Sequence, residues 1–291
     1  MATAVKSRLR AIPTGAALGA DVEGFDIANV SDADMDFIRQ AWRDHLVLRF
    51  RGQDFDDRVH RDFSRRFGPL DMAPSTKFHK PWLAEFPEMS QITNIVKDGK
   101  PIGTLGSGEL VWHTDMSYID TPPTGSLLHA LQIPESGGDT SFLNMYRAYE
   151  TLPAALKKAA DTHKIKHDKT HNSSGTLRAG LESVTYKDVT EVPGAIHPIA
   201  RTHPETGRKA LYLGRRARSY VMGLPVDESE ALLDALWGHA GGNPDFVWTQ
   251  VWQAGDLILW DNRCVMHRRD AFDPSQQRLM RRTVLLGDRP Y

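Results

Sequence analysis

Residues 255–270 read GDLILWDNRCVMHRRD, in which one apolar run, Leu257–Trp260, ends at a polar turn and a second places His267 at its end. Large and β-branched apolar residues in runs of this length are strand-like. The same texture recurs in SLLHALQI (126–133), TSFLNMY (140–146), ALYLG (210–214), FVWTQVWQ (246–253) and RRTVLLG (281–287). Many short strands separated by turns argue for a sandwich or barrel with helices packed outside it. The helices are expected in four places. Ser31 caps a first one whose apolar positions Met35, Ile38 and Trp42 recur at helical spacing, and residues 54–66 form a second after the buried strand 46–50. A third spans about 146–161, and a fourth spans 227–240 with Leu232, Leu233, Leu236 and Trp237 as its buried stripe. Residues 71–110 read as one long polar, Gly-rich irregular segment, either mobile or functional. No composition shift marks a linker, so 1–291 is read as a single domain.

The bulk numbers exclude several classes. A net charge of −1 provides no basic field for nucleic acid or an anionic membrane, which favours a small-molecule partner. One cysteine, Cys264, permits no intrachain disulfide and no cysteine-based zinc site. The start, MATAVKSRLRAIPTG, lacks the apolar core of a signal peptide, and no apolar run approaches the ~20 residues of a membrane helix. A cytoplasmic protein is expected.

Chemistry enters at VWHTDMSY (111–118), where His113 and Asp115 sit one residue apart in an apolar and aromatic run. On a strand the two share one face, either as a hydrogen-bonded pair or as metal ligands. With His267 they make two histidines and one carboxylate, the facial triad of non-haem iron(II) oxygenases, although zinc hydrolysis on the same ligands stays open. His129, His197 and His203 are read as structural, and Cys264 as an inert buried thiol.

WHTDMSY, PESGGDT, THPETGRKALYLG, GDLILWDNRCVMHR and QRLMRRTVLLGD occur in an order and spacing that resemble the TauD/TfdA family, the taurine and aryloxyalkanoate dioxygenases. The resemblance covers nearly the whole chain. It implies a mainly β fold with flanking helices, a double-stranded β-helix or jelly roll. It implies Fe(II), 2-oxoglutarate and O2 as cofactor and cosubstrates, with His113, Asp115 and His267 as iron ligands. The far carboxylate of 2-oxoglutarate falls to Thr140, in GGDT, and to Arg278, eleven residues beyond His267. A guanidinium fork and a hydroxyl suit a carboxylate. Arg282, fifteen residues beyond His267, falls to the substrate's anionic group, with a salt bridge to a carboxylate such as Glu109 or Asp71 as its structural alternative. On a strand, 278, 280 and 282 share a face, and Arg281 turns outward as a surface charge, as does Arg289.

The implied reaction hydroxylates a small organic acid and releases succinate and CO2. The chain departs from the taurine enzymes after Arg66-Phe67-Gly68, with Ala73 and Thr76 in place of a histidine and a tyrosine, and Glu109 replaces an asparagine. The leading substrate is therefore an aryloxyalkanoate such as a 2,4-dichlorophenoxyacetate-like compound. The alternatives are taurine or another alkylsulfonate or sulfate ester, and a non-catalytic jelly roll that binds a small acid. A homo-oligomer, dimer or tetramer, is expected. GKPIGTLGSGE (99–109) is a candidate lid, and RAGLESVTYKD (178–188) a candidate mobile segment near the substrate.

Overall fold

The computed structural model describes residues 8–72, 81–178 and 185–291, and in it the stretch 255–270 is the corner at which the chain leaves one sheet and enters another. Leu257–Asp261 lies inside an eight-stranded sheet, between Val47–Phe50 and Gly125–Gln132. Val265–Arg269 lies inside a four-stranded sheet, between Thr140–Asn144 and Leu110–His113. Charge locks the buried corner. Arg263 donates from Nε and Nη2 to the two carboxylate oxygens of Asp261 at 2.8 and 2.7 Å, and His203 Nε2 meets Asp261 Oδ2 at 3.0 Å.

Side-chain alternation along the strands builds two cores. Leu257, Leu259, Leu127, Leu48 and Phe50 pack under Met35, Ile38 and Trp42 of the helix Asp32–His45 and Phe63 of the helix Asp57–Arg65. Their neighbours Ile258, Trp260, Leu128 and Met280 face the other way, against Phe142 and Met266 of the smaller sheet. Phe142 and Trp260 meet at 5.9 Å between ring centroids. The larger sheet is thus a middle layer, helices on one side and the second sheet on the other, and the candidate site opens between the sheets. Ser31 caps the first helix as expected, in a capping box with Asp34.

Three expectations are corrected. The helix read over 146–161 is two, Met145–Glu150 and Ala154–Thr162, because Pro153 lacks an N–H and disfavours helical backbone in the residue before it. The segment 71–110 is not irregular throughout: Ser90–Thr93 pairs with Leu279–Val284, and Thr104–Leu105 adds an edge beyond it. Strands of two to four residues, one of them polar (Ser90-Gln91-Ile92-Thr93), are too short to show a period. Arg281 is no solvated charge either. It donates to both oxygens of Asp57, at the start of the second helix, from 3.0 and 3.1 Å. No helix among the described residues is long and apolar enough to cross a membrane.

Candidate metal centre and its cavity

His113 and His267 stand directly opposite each other on adjacent strands, with ring centroids 4.2 Å apart. Asp115 joins them, but not by strand parity. The strand ends at His113, and Asp115 lies in the turn that follows, where Met116 has φ +49°. Two hydrogen bonds pull the backbone out of the sheet there: Thr114 N–H donates to Gly214 O at 3.1 Å, and Asp115 N–H to Asn262 Oδ1 at 2.9 Å. Asn262 Nδ2 completes the hold, donating to Asp115 O and to Pro123 O at 3.0 Å each.

The two imidazole Nε2 atoms lie 3.7 Å (His113) and 4.0 Å (His267) from Asp115 oxygens. Both are too long for hydrogen bonds, yet within the ~4.2 Å that two donors bonded to one ion at about 2.1 Å can span. His113 Nδ1 contacts Val111 O at 2.7 Å, which turns Nε2 toward the cavity. Burial, and then His113, push His267 down to about 3; burial also lowers His113 despite Asp115. Both rings are therefore neutral, the form that ligates. Burial alone would raise Asp115, but Arg282 and the two histidines hold it at about 2, so it is a carboxylate. The donor set fits Fe(II). A second buried trio, His203, Asp261 and Cys264, is equally close, but Arg263 and His203 already engage Asp261.

The trio opens into a cavity of about 680 Å³. Thr140 and Arg278 line one end of it, joined through Trp252, whose Nε1 donates to Thr140 Oγ1 at 3.1 Å and whose ring lies 5.9 Å from the Arg278 guanidinium carbon. Gly138, at φ +69°, lets the preceding turn approach Arg278: a Cβ there would sit 3.4 Å from the arginine's Cδ. Arg278 is 2% exposed, its Nε has no partner, and burial followed by Arg269 draws it down to about 9. An uncompensated buried guanidinium is costly, so this end is built for an anion.

Arg282 also lines the cavity. Its partner is neither Glu109 nor Asp71 but Asp115, which Nη1 reaches at 3.2 and 3.4 Å. Glu109 is exposed and outside the lining. Thr104, Leu105, Gly106 and Gly108 of the candidate lid form wall, pinned by Arg269, whose Nη2 donates to Leu105 O and Gly108 O. Ala73, Thr76 and 179–184 lie outside the described residues. The sequence reading missed Arg215 altogether and named Arg178 only within a segment; both line the cavity. A signal for Arg215 was available: it follows the motif glycine Gly214, whose φ is +67° and whose added Cβ would fall 2.0 Å from His167 Nδ1.

Comparison with known proteins agrees with this geometry. The family "Taurine catabolism dioxygenase TauD, TfdA family" matches residues 10–284. The chain is 34% identical to the alpha-ketoglutarate-dependent 2,4-dichlorophenoxyacetate dioxygenase of Burkholderia sp. (strain RASC), over 89% of this chain and 88% of that one. It is 32% identical to the (S)-phenoxypropionate/alpha-ketoglutarate-dioxygenase of Sphingobium herbicidovorans, over 95% and 94%. The crystal structure of a taurine dioxygenase from Burkholderia xenovorans superposes with a TM-score of 0.78 at 30% identity, covering 98% of this chain and 91% of that one.

Proposed function

The chain belongs to the TauD/TfdA family, and from that premise we propose that it hydroxylates an aryloxyalkanoate, with His113, Asp115 and His267 holding the iron. It is an alpha-ketoglutarate-dependent dioxygenase that uses Fe(II), 2-oxoglutarate and O2. When bound, the metal and cosubstrate supply oxygen activation coupled to decarboxylation, giving succinate and CO2. The chain's own residues supply position. Thr140 and Arg278 would hold the far carboxylate of 2-oxoglutarate by a hydroxyl and a guanidinium fork. Arg282 steadies the Asp115 carboxylate through Nη1 and offers the substrate only its remaining edge. Leu128, Ile92 and Trp260 keep that part of the cavity apolar around a ring.

The observation that carries this reading is Arg278, a buried guanidinium with no salt bridge among the described residues, in the same cavity as a trio with metal-ligand spacing. The likeness to two aryloxyalkanoate dioxygenases supports the substrate class. The finer fold, a double-stranded β-helix, is supported by the two facing sheets and by the same likeness. The uninterrupted match over 10–284 supports one domain. We further propose a cytoplasmic location and a homo-oligomer, dimer or tetramer.

The test is substrate-dependent succinate formation across aryloxyacetates, aryloxypropionates, taurine and alkyl sulfates. The expected result is turnover with aryloxyalkanoates well above the others. Turnover confined to sulfonates or sulfate esters would replace the substrate class.

A further inference from the structure

We propose that Arg215 and Arg178, set against Tyr118, form the subsite that receives the substrate's carboxylate, and that they rather than Arg282 read its charge. This rests on the function proposed above and assigns the substrate's anion a place in that cavity.

Three observations carry it. Arg215 is 8% exposed and lines the cavity, yet its Nη1 is buried without a partner. Its only side-chain hydrogen bond among the described residues runs from Nη2 to the carbonyl of Asp168 at 3.1 Å. The Asp168 carboxylate is turned elsewhere, to Thr170 N–H at 2.6 Å and His171 Nδ1 at 3.0 Å. Arg178 is half-buried on the same wall, also with an unpartnered Nε. Both guanidinium carbons lie against the Tyr118 ring, at 4.2 Å (Arg178) and 5.6 Å (Arg215) from its centroid. Two like charges on one ring, with no acid in salt-bridge reach among the described residues, repel each other and are relieved by an anion placed between them.

The other cavity arginines are differently placed. Arg282 already faces Asp115 at 3.2 Å. Arg278 answers electrostatically to Arg269 and Asp139, whereas Arg215 answers to Arg178, Asp168, Tyr118 and Asp115. Arg278 lies by Trp252 and Thr140, and Arg215 and Arg178 lie by Tyr118, so the two groups rest on different side chains of the cavity wall. Arg216 shows the contrast: next in the chain, it pairs with Glu230 at 2.7 Å and Asp234 at 2.6 Å on the surface. Tyr118 and the nearby Leu177 and Met116 add an apolar and aromatic wall. That combination suits a carboxylate attached to an aryloxy group better than a small hydrophilic sulfonate.

The experiment is anaerobic calorimetric titration of the Fe(II)–2-oxoglutarate protein with 2,4-dichlorophenoxyacetate and, separately, with its methyl ester. Arg215→Gln should weaken binding of the acid about thirtyfold or more, as expected for one side of a desolvated charge pair. Arg178→Gln, less buried, should weaken it by about fivefold. Arg215→Lys should recover part of the loss, because an ammonium lacks the fork. Ester and 2-oxoglutarate affinities should stay within about twofold. If Arg215→Gln does not fold, Arg178→Gln and Arg215→Lys carry the test. The subsite is overturned if the acid's affinity is unchanged in these variants, if only Arg282→Gln loses it, or if the wild-type protein does not bind the acid. Absence of a visible Fe(II)–2-oxoglutarate band in the wild type would instead defeat the underlying function.

Discussion

Asn262 is not one of the trio, yet it fixes where the trio's carboxylate sits. Its amide answers both the N–H and the C=O of Asp115, in the one backbone stretch of the trio that no strand holds. Asn262→Ala would leave those two buried groups without partners, at about 1–3 kcal/mol each. Iron affinity should fall about 10–100-fold, as it does when the supports of ligands are removed. Anaerobic Fe(II) titration and a melting curve check this, and unchanged values in both would remove Asn262 from the positioning set. At this scale the three residues that the structure brings together were legible, because imidazole and carboxylate inside apolar runs are chemically out of place. Arg178 and Arg215 were not, since an arginine in a loop reads as solvated unless burial is known. His113 and Asp115 do meet, but through the turn after His113 and not through the strand parity the sequence suggested.

Among the elements, the corner at Asp261–Arg263 joins the two sheets and carries His267 into the smaller one. Burial raises Asp261, but Arg263 and His203 outweigh it, and its folded pKa lies well below the usual carboxylate value. A depressed folded value means that this stabilisation is fully present above the unfolded pKa. It is lost as pH falls through the folded one. Asp261→Asn leaves Arg263 with Glu205 alone, at 2.5 Å from Nη1, and should cost about 3 kcal/mol at neutral pH, the low end for breaking a buried pair. Melting curves should show the gap between wild type and variant narrowing only in strong acid. A gap that stays constant from neutral pH to strong acid would refute the linkage. The strands of this region were legible from apolar runs bounded by turns. The sheet switch between them was not, because pairing partners lie more than a hundred residues away in the chain. Likewise, the strand Ser90–Thr93 and the edge strand Thr104–Leu105 are set by neighbours rather than by their own period.

Over the whole molecule the charge is nearly balanced, at −1, but the cavity is not: among the described residues, five arginines (178, 215, 269, 278 and 282) line it against one carboxylate, Asp115. The overall composition conceals this field, which is the physical reason to expect anionic ligands in it. It also gives an unusual sign to one substitution. Arg278→Met removes an unpaired buried cation, so without ligands the variant should melt no lower than wild type, while losing the stabilisation that 2-oxoglutarate confers. A lower melting point with an intact 2-oxoglutarate response would contradict that assignment. The central claim, that the His113–Asp115–His267 trio holds iron beside an Arg278-bound 2-oxoglutarate, has a direct spectroscopic test. Anaerobic addition of Fe(II) and 2-oxoglutarate should produce a weak visible charge-transfer band in the wild type. The band should be lost in Asp115→Ala and shifted to much higher 2-oxoglutarate concentration in Arg278→Met. A wild-type protein that gives no band at saturating cosubstrate, or an Asp115→Ala variant that keeps it, would contradict the account.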